Sequence, residues 1–212
     1  MAEIGDLITL GAYPQSSSDP SQKEPIQWLV LAKEEGKLLC ISQLLLDCKP
    51  YHHTPEMVTW ASCDLRRWLN RNFLESAFSF EEQGRILTTH LINHKGCPQY
   101  DTDDKLFLLD YEAAVDYFES EEHPMTRSAL TTPYARSRGA WFLSPQETEA
   151  EDPLLYAGCW WLRLPEVTPD KNPDGLYDVL SCVNYDDYIE LYASSVEETD
   201  VCVRPAFWMR EG

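Results

Sequence analysis

The amino-acid sequence predicts an α+β domain of small, mainly antiparallel sheets, with about three helices and long ordered loops. Three observations predict it. Residues 6–42 hold apolar runs joined by short polar or glycine-bearing connections, residues 62–118 hold helix starts followed by apolar residues at helical spacing, and residues 158–209 return to strand-like runs. The 212 residues show no internal repeat and no Gly/Ser- or Pro-rich linker, so one domain over residues 1–212 is expected.

The first strand is read over residues 6–13, where Leu7, Thr9 and Gly11 alternate with Ile8, Leu10 and Ala12 before Pro14 stops it near an edge. After a polar loop, residues 26–32 and 37–42 are apolar runs joined by Lys33-Glu34-Glu35-Gly36, a four-residue connection with Gly where positive φ comes most easily. Together they form a meander. Ser62 is placed to cap a helix carrying Leu65, Trp68, Leu69 and Phe73 on one face, and Ser79 with Glu82 has capping-box spacing ahead of Ile86, Leu87 and Leu91. Residues 105–109 read as a short apolar strand, and Asp110 caps a third helix with Tyr111, Ala114, Val115 and Phe118 along one side. Residues 120–153 are polar apart from Trp141-Phe142-Leu143 and form a long ordered excursion. The last third carries strands at Trp160-Trp161, at residues 177–183 and 188–192 about the turn Asn184-Tyr185-Asp186-Asp187, and at residues 202–208.

A hydrophobic share of 43% with 12% aromatic residues describes a globular chain, and the net charge of −19 disfavours nucleic acid and anionic membrane, both polyanions. No signal-peptide pattern opens the chain and no apolar run reaches about 18 residues, so a cytoplasmic protein is expected, with surface display by a partner left open. The seven cysteines are odd in number, lack a Cys-x-x-Cys pair, and sit largely in apolar runs, as reduced core residues do.

Six ordered blocks carry a family resemblance. They are Gly5-Asp6-Leu7-Ile8-Thr9-Leu10-Gly11-Ala12-Tyr13-Pro14-Gln15, Pro25-Ile26-Gln27-Trp28-Leu29-Val30-Leu31, Thr59-Trp60 leading to Leu65-Arg66-Arg67-Trp68-Leu69-Asn70, Asp104-Lys105-Leu106-Phe107-Leu108-Leu109, Trp160-Trp161-Leu162-Arg163 and Val203-Arg204-Pro205-Ala206. In this order the chain resembles the DUF6273 family of bacteria and phages over nearly its whole length. The resemblance implies a C-type-lectin-like fold, related to formylglycine-generating enzymes and to the variable proteins of diversity-generating retroelements. It also implies that Trp160, Trp161, Arg163, Arg204 and Trp208 are buried framework, while the segment from about residue 165 to 200 faces a ligand. Two departures stand out: Arg163-Leu164-Pro165-Glu166 replaces the usual Arg-Ser-Pro-Gly, and Cys202 replaces a Gly, each removing backbone freedom.

Tyr177, Tyr185, Tyr188 and Tyr192 supply stiff contact area, while Asn172, Asn184, Asp186, Asp187, Glu190 and Ser194 supply polar contacts. The expected function is therefore non-enzymatic recognition of a protein or peptide through Tyr177, Asn184, Tyr185, Asp186, Asp187, Tyr188, Glu190 and Tyr192, with no cofactor and no metal. Alternatives are a metal-dependent carbohydrate or small-molecule binder, with Asp186, Asp187 and Glu190 around calcium, or an enzyme of the formylglycine-generating class. A third is an interaction unit whose contact face is the 120–153 excursion. Cys159, Cys182 and Cys202 lie about twenty residues apart rather than as a close pair, and no Gly-x-Ser-x-Gly or phosphate-cradling loop is present. His90 and His94 have the spacing of ligands on a helix but no third ligand nearby, so a pair of surface residues is expected, and Asp101, Asp103 and Asp104 lack the Gly and Glu of an EF-hand. Arg163 and Arg204, set among apolar residues, are expected to pin strands or loops through forked hydrogen bonds.

Overall fold

The structure, a computed structural model, describes residues 2–94, 98–164 and 178–211. The N-terminal meander forms as read: β1 (Leu7–Pro14), β2 (Lys23–Glu34) and β3 (Lys37–Ser42) pair antiparallel in that order. Glu34 pairs with Lys37, so the connection is two residues, Glu35-Gly36, rather than four, and Gly36 takes φ +73°. The alternation of β1 breaks between Thr9 and Ala12 at a bulge, where Gly11 has φ +69° and a Cβ would stand 2.6 Å from the Ala77 carbonyl oxygen. Leu10 and Tyr13 face the core.

β4 (Asp47–Cys48) leads to α1 (Asp64–Trp68), a π turn over Leu69–Phe73, and α2 (Leu74–Ala77). Leu65, Leu69 and Phe73 are buried as the spacing predicts, but Cys63 caps α1 by accepting from the Arg66 amide, while Ser62 closes a turn with Thr59. The Ser79 capping box forms ahead of α3 (Phe80–Arg85). The helix stops sooner than its apolar pattern implies: Ile86 turns extended and bridges Met209, and Leu91 lies in β5 (Thr89–Leu91), paired with β6 (Thr102–Asp104).

Residues 105–109 were expected as a strand and are not one. The Asn70 side chain takes their backbone instead, Oδ1 accepting from the Lys105 and Leu106 amides at 2.9 and 3.1 Å and Nδ2 donating to the Leu106 carbonyl at 2.8 Å. Only a bridge from Phe107 to Ala206 remains. α4 (Tyr111–Phe118) begins at Asp110 as read, and α5 (Pro133–Ser137), capped by Thr132 with Pro in its first turn, lies unforeseen within the 120–153 excursion.

The last strands divide between the sheets. β7 (Trp160–Trp161), β8 (Val179–Val183), β9 (Ile189–Ser195) and β10 (Cys202–Val203) build a five-stranded sheet ordered β4-β10-β7-β8-β9, parallel at β10–β7 and antiparallel elsewhere. β11 (Ala206–Arg210) leaves it to pair with β3, closing the first sheet as β1-β2-β3-β11. Arg204-Pro205 is the crossing between the two sheets, so the mixed α+β architecture with mostly antiparallel sheets is as expected while the C-terminal strands are shared out. Both sheets feed one hydrophobic cluster.

Trp28, Trp60, Trp160 and Trp161 are fully buried, and each indole N–H has an acceptor: the carbonyls of Leu10, Arg127 and Lys49 for Trp28, Trp160 and Trp161, and the Asp104 carboxylate for Trp60. Large rings thus enter the core without an orphaned donor. Among the described residues no helix is long and apolar enough to cross a membrane.

Glu82 joins α3 to the Gly11 bulge. Burial pushes its carboxyl up, but hydrogen bonds from Ser79 and from the Gly11 amide (2.9 Å) outweigh this and hold it below its ordinary value. Such a group stabilises the fold fully above about pH 5 and loses that contribution as pH falls through its lowered folded value. Glu82→Ala is expected to destabilise by about 1–2 kcal/mol at neutral pH, with the gap to wild type closing in urea unfolding at acid pH.

Candidate functional site

Two buried arginines tie the strands and loops beneath the displayed turn. Arg163, 5% exposed, donates to the Leu108 carbonyl at 3.2 Å, to Asn93 Oδ1, and to Asp110 Oδ2 at 2.5 Å, binding β7 to the start of α4. Arg204, 2% exposed, donates to the Ser42 carbonyl at 3.0 Å and the Arg127 carbonyl at 2.7 Å, and its guanidinium lies 5.1 Å from the Trp160 ring centroid. Burial pulls Arg204 down to about 9, with Asp187 opposing, so it stays cationic at neutral pH. Both arginines act as the forked pins the sequence implies. Trp160 and Trp161 are buried; Trp208 is only partly so, with the Lys37 ammonium 4.4 Å from its ring centroid.

The framework grips the hairpin of β8 and β9 through Arg127, a residue that sequence reading passed over. Its carbonyl accepts from both Arg204 and Trp160, while its side chain reaches the turn at Asp187. Nε donates to the Asp187 carbonyl at 3.0 Å, Nη2 approaches the Asp187 carboxylate at 3.4 Å, and Nη1 pairs with Glu119 at 2.7 Å. Asp187 Oδ1 also accepts from Thr126 Oγ1 at 2.8 Å, from the Ser128 amide at 3.0 Å, and from the Arg127 amide. This carboxylate is thus filled by protein donors, which a calcium ion would have to displace. Asp187 holds φ +77°, and its neighbour Asn184 accepts from Cys159 Sγ at 3.0 Å. Burial pushes the Cys159 thiol up to about 12, which keeps it protonated.

Over this fixed base the turn shows a different chemistry. Tyr188 is 67% exposed and Leu191 40%, with Asp186 and Glu190 exposed beside them. Tyr185 packs against Trp141 at 5.4 Å between ring centroids, and its carbonyl accepts from Ser128 Oγ at 2.7 Å. Trp141, itself 37% exposed, comes from the excursion, so the two segments that sequence reading treated as rival faces meet in one. Of the expected binding residues, Asn184 and Asp187 support the turn, while Tyr185, Asp186, Tyr188 and Glu190 form its outer surface. Tyr192 lies in β9. Tyr177, Asn172 and the Pro165-Glu166 departure lie outside the described residues.

The remaining candidates separate. His90 is on strand β5, not a helix, and bonds Asp103 at 2.9 Å; the Asp103 partner is the leading cause that raises its pKa. His94, expected at the surface, is buried. Asp104 is buried against Arg66, Trp60 and Thr102, and Asp101 accepts from the Asn93 amide, so the three aspartates do not converge. Cys40, Cys48, Cys63, Cys159, Cys182 and Cys202 are free thiols, Cys97 lying outside the described residues. Cys202, where the resemblance implies a glycine, is a fully buried strand residue. Among the described residues no group of three His, Cys, Asp or Glu side chains is arranged to hold a metal.

The fold and this face define an α+β protein that presents an aromatic and acidic turn on a rigid frame. The chain belongs to the DUF6273 family: the family model described as "Domain of unknown function (DUF6273)" matches residues 35–211. The match begins at the β2–β3 turn, so the blocks at residues 5–15 and 25–31 fall outside it. No curated protein and no solved structure matched the chain.

Proposed function

We propose that this chain is a non-enzymatic recognition module that binds a protein or peptide through the face formed by Tyr185, Tyr188, Asp186, Glu190 and Trp141. The observation that carries the reading is the contrast at residues 184–188: a backbone fixed by Arg127 and Asp187 displays a largely exposed Tyr188, and in the same turn Tyr185 packs against the half-exposed Trp141. Rigid aromatic groups give contact area at low entropic cost, and exposed aromatic rings on a fixed turn are typical of binding surfaces. The flanking carboxylates favour a partner bearing Lys or Arg beside apolar residues. The C-type-lectin-like architecture and the kinship with retroelement variable proteins belong to the same proposal, since in that setting a fixed frame carries an exchangeable binding surface. So does a cytoplasmic location.

Selection of random displayed peptides on the immobilised full chain tests this. Basic, apolar-rich peptides should be enriched, and their affinity should fall at least about tenfold in Tyr185→Ala/Tyr188→Ala at an unchanged melting temperature. Equal binding by wild type and the double variant would count against the site.

A further inference from the structure

A cavity of about 340 Å³ lies between β4, α1, the end of α5 and the loop before β10, built from residues that the recognition face does not use. Its walls include Lys49, His53, Asp64, Leu65, Trp68 and Arg138. In a chain where 36 acids face 17 Lys and Arg, two permanent cations against one carboxylate invert the overall balance. The carboxylate is already engaged: Asp64 pairs with His53 at 2.8 Å, His52 at 2.9 Å and Arg67 at 2.6 Å. Neither cation is so well matched. Lys49 makes no ion pair among the described residues and instead lies 4.8 Å from the Trp68 ring centroid. Arg138 approaches Asp47 only at 3.9 Å, and that carboxylate already accepts from Tyr13 and from the Cys48 amide.

The cationic wall is also held in position. The Lys49 amide donates to the Val201 carbonyl at 3.3 Å and its carbonyl accepts from the buried Trp161 indole at 2.9 Å, so its backbone is tied to the core on both sides. Leu65 and Trp68 supply apolar surface next to the charges, and the volume falls in the range of small-molecule sites. We propose that this cavity binds a small organic anion, a phosphate monoester or carboxylate on a compact aromatic body. The anionic group would sit between Lys49 and Arg138, with the ring against Leu65 and Trp68. Arg offers a planar fork and Lys a point charge, a pairing suited to either oxyanion.

Calorimetric titration of the full chain with phenyl phosphate and with benzoate, using benzyl alcohol as the neutral control, tests the assignment and tells the two anion sources apart. Saturable binding of at least one anion with Kd below about 1 mM is expected, weakened about tenfold in Lys49→Gln and in Arg138→Gln. Both side chains reach solvent, and far-UV circular dichroism with a melting curve shows whether either variant has lost its fold. Absence of saturable binding by both anions, equal binding of benzyl alcohol, or affinity unchanged in folded Lys49→Gln and Arg138→Gln overturns the proposal.

Discussion

Arg204→Ala should lower the stability of the fold by about 3–5 kcal/mol, the loss expected when a buried, hydrogen-bonded cation is truncated. The Ser42 carbonyl would lose the Arg204 donor in the interior, at about 1–3 kcal/mol, and the Arg127 carbonyl would be left with the Trp160 indole alone. The space beside Trp160 and Phe118 would add a cavity penalty. Opposing these is relief of the desolvation that depresses the Arg204 pKa, which keeps the net well below the sum. For a chain of this length the melting temperature should drop by about 10 °C. Arg204→Lys should recover little, because an ammonium cannot reproduce a fork spread over two carbonyls. Arg204→Met restores volume without donors and so separates packing from hydrogen bonding. A melting temperature unchanged in Arg204→Ala would refute the role.

This crossing explains what could be read from the sequence and what could not. Locally coded features were legible. The meander, the Ser79 capping box, the Asp110 cap and the β8–β9 hairpin each depend on residues within a few positions of one another. Arg163 and Arg204 were recognisable as pins because a guanidinium among apolar residues must find acceptors, wherever they lie. Partners far away in sequence were not legible. Nothing near residue 105 says that Asn70, 35 positions earlier, will take its amide and replace a strand ladder. Nothing near residue 206 says that β11 will pair with β3 rather than with the tryptophan strands.

The candidate site divides in the same way. Tyr185, Tyr188, Asp186 and Glu190 are recognisable from composition, since a turn rich in Tyr and Asp between two strands reads as a displayed surface. Trp141 was visible as an apolar residue in a polar stretch, but its place beside Tyr185 depends on a long-range approach. Arg127 carried no local signal, for its carboxylate partner at Asp187 is 60 residues away. The cavity at Lys49 was invisible for a related reason: Lys49, Trp68 and Arg138 come from three separate segments, and only the fold makes them neighbours.

The hold on the recognition turn yields the second large effect. Asp187→Gly removes a carboxylate that accepts from Thr126, Arg127 and Ser128 while leaving the backbone free to keep φ +77°. Hydrogen bonds to a charged acceptor contribute about 1.5–3 kcal/mol, and several of these donors are near solvent, so a loss of about 2–3 kcal/mol is expected. Asp187→Ala should cost about 1 kcal/mol more, because a Cβ in the left-handed region adds strain that glycine avoids. Asp187→Asn keeps an acceptor oxygen without the charge facing Arg127 and should fall between wild type and Asp187→Gly. Urea unfolding of the three variants reads this order directly, and an Asp187→Gly protein as stable as wild type would sink it. If the Tyr185 and Tyr188 face binds as proposed, Asp187→Gly should also weaken the selected peptides, although the carboxylate faces Arg127 rather than the partner. The turn would then pay an ordering cost on binding that the fixed backbone now avoids.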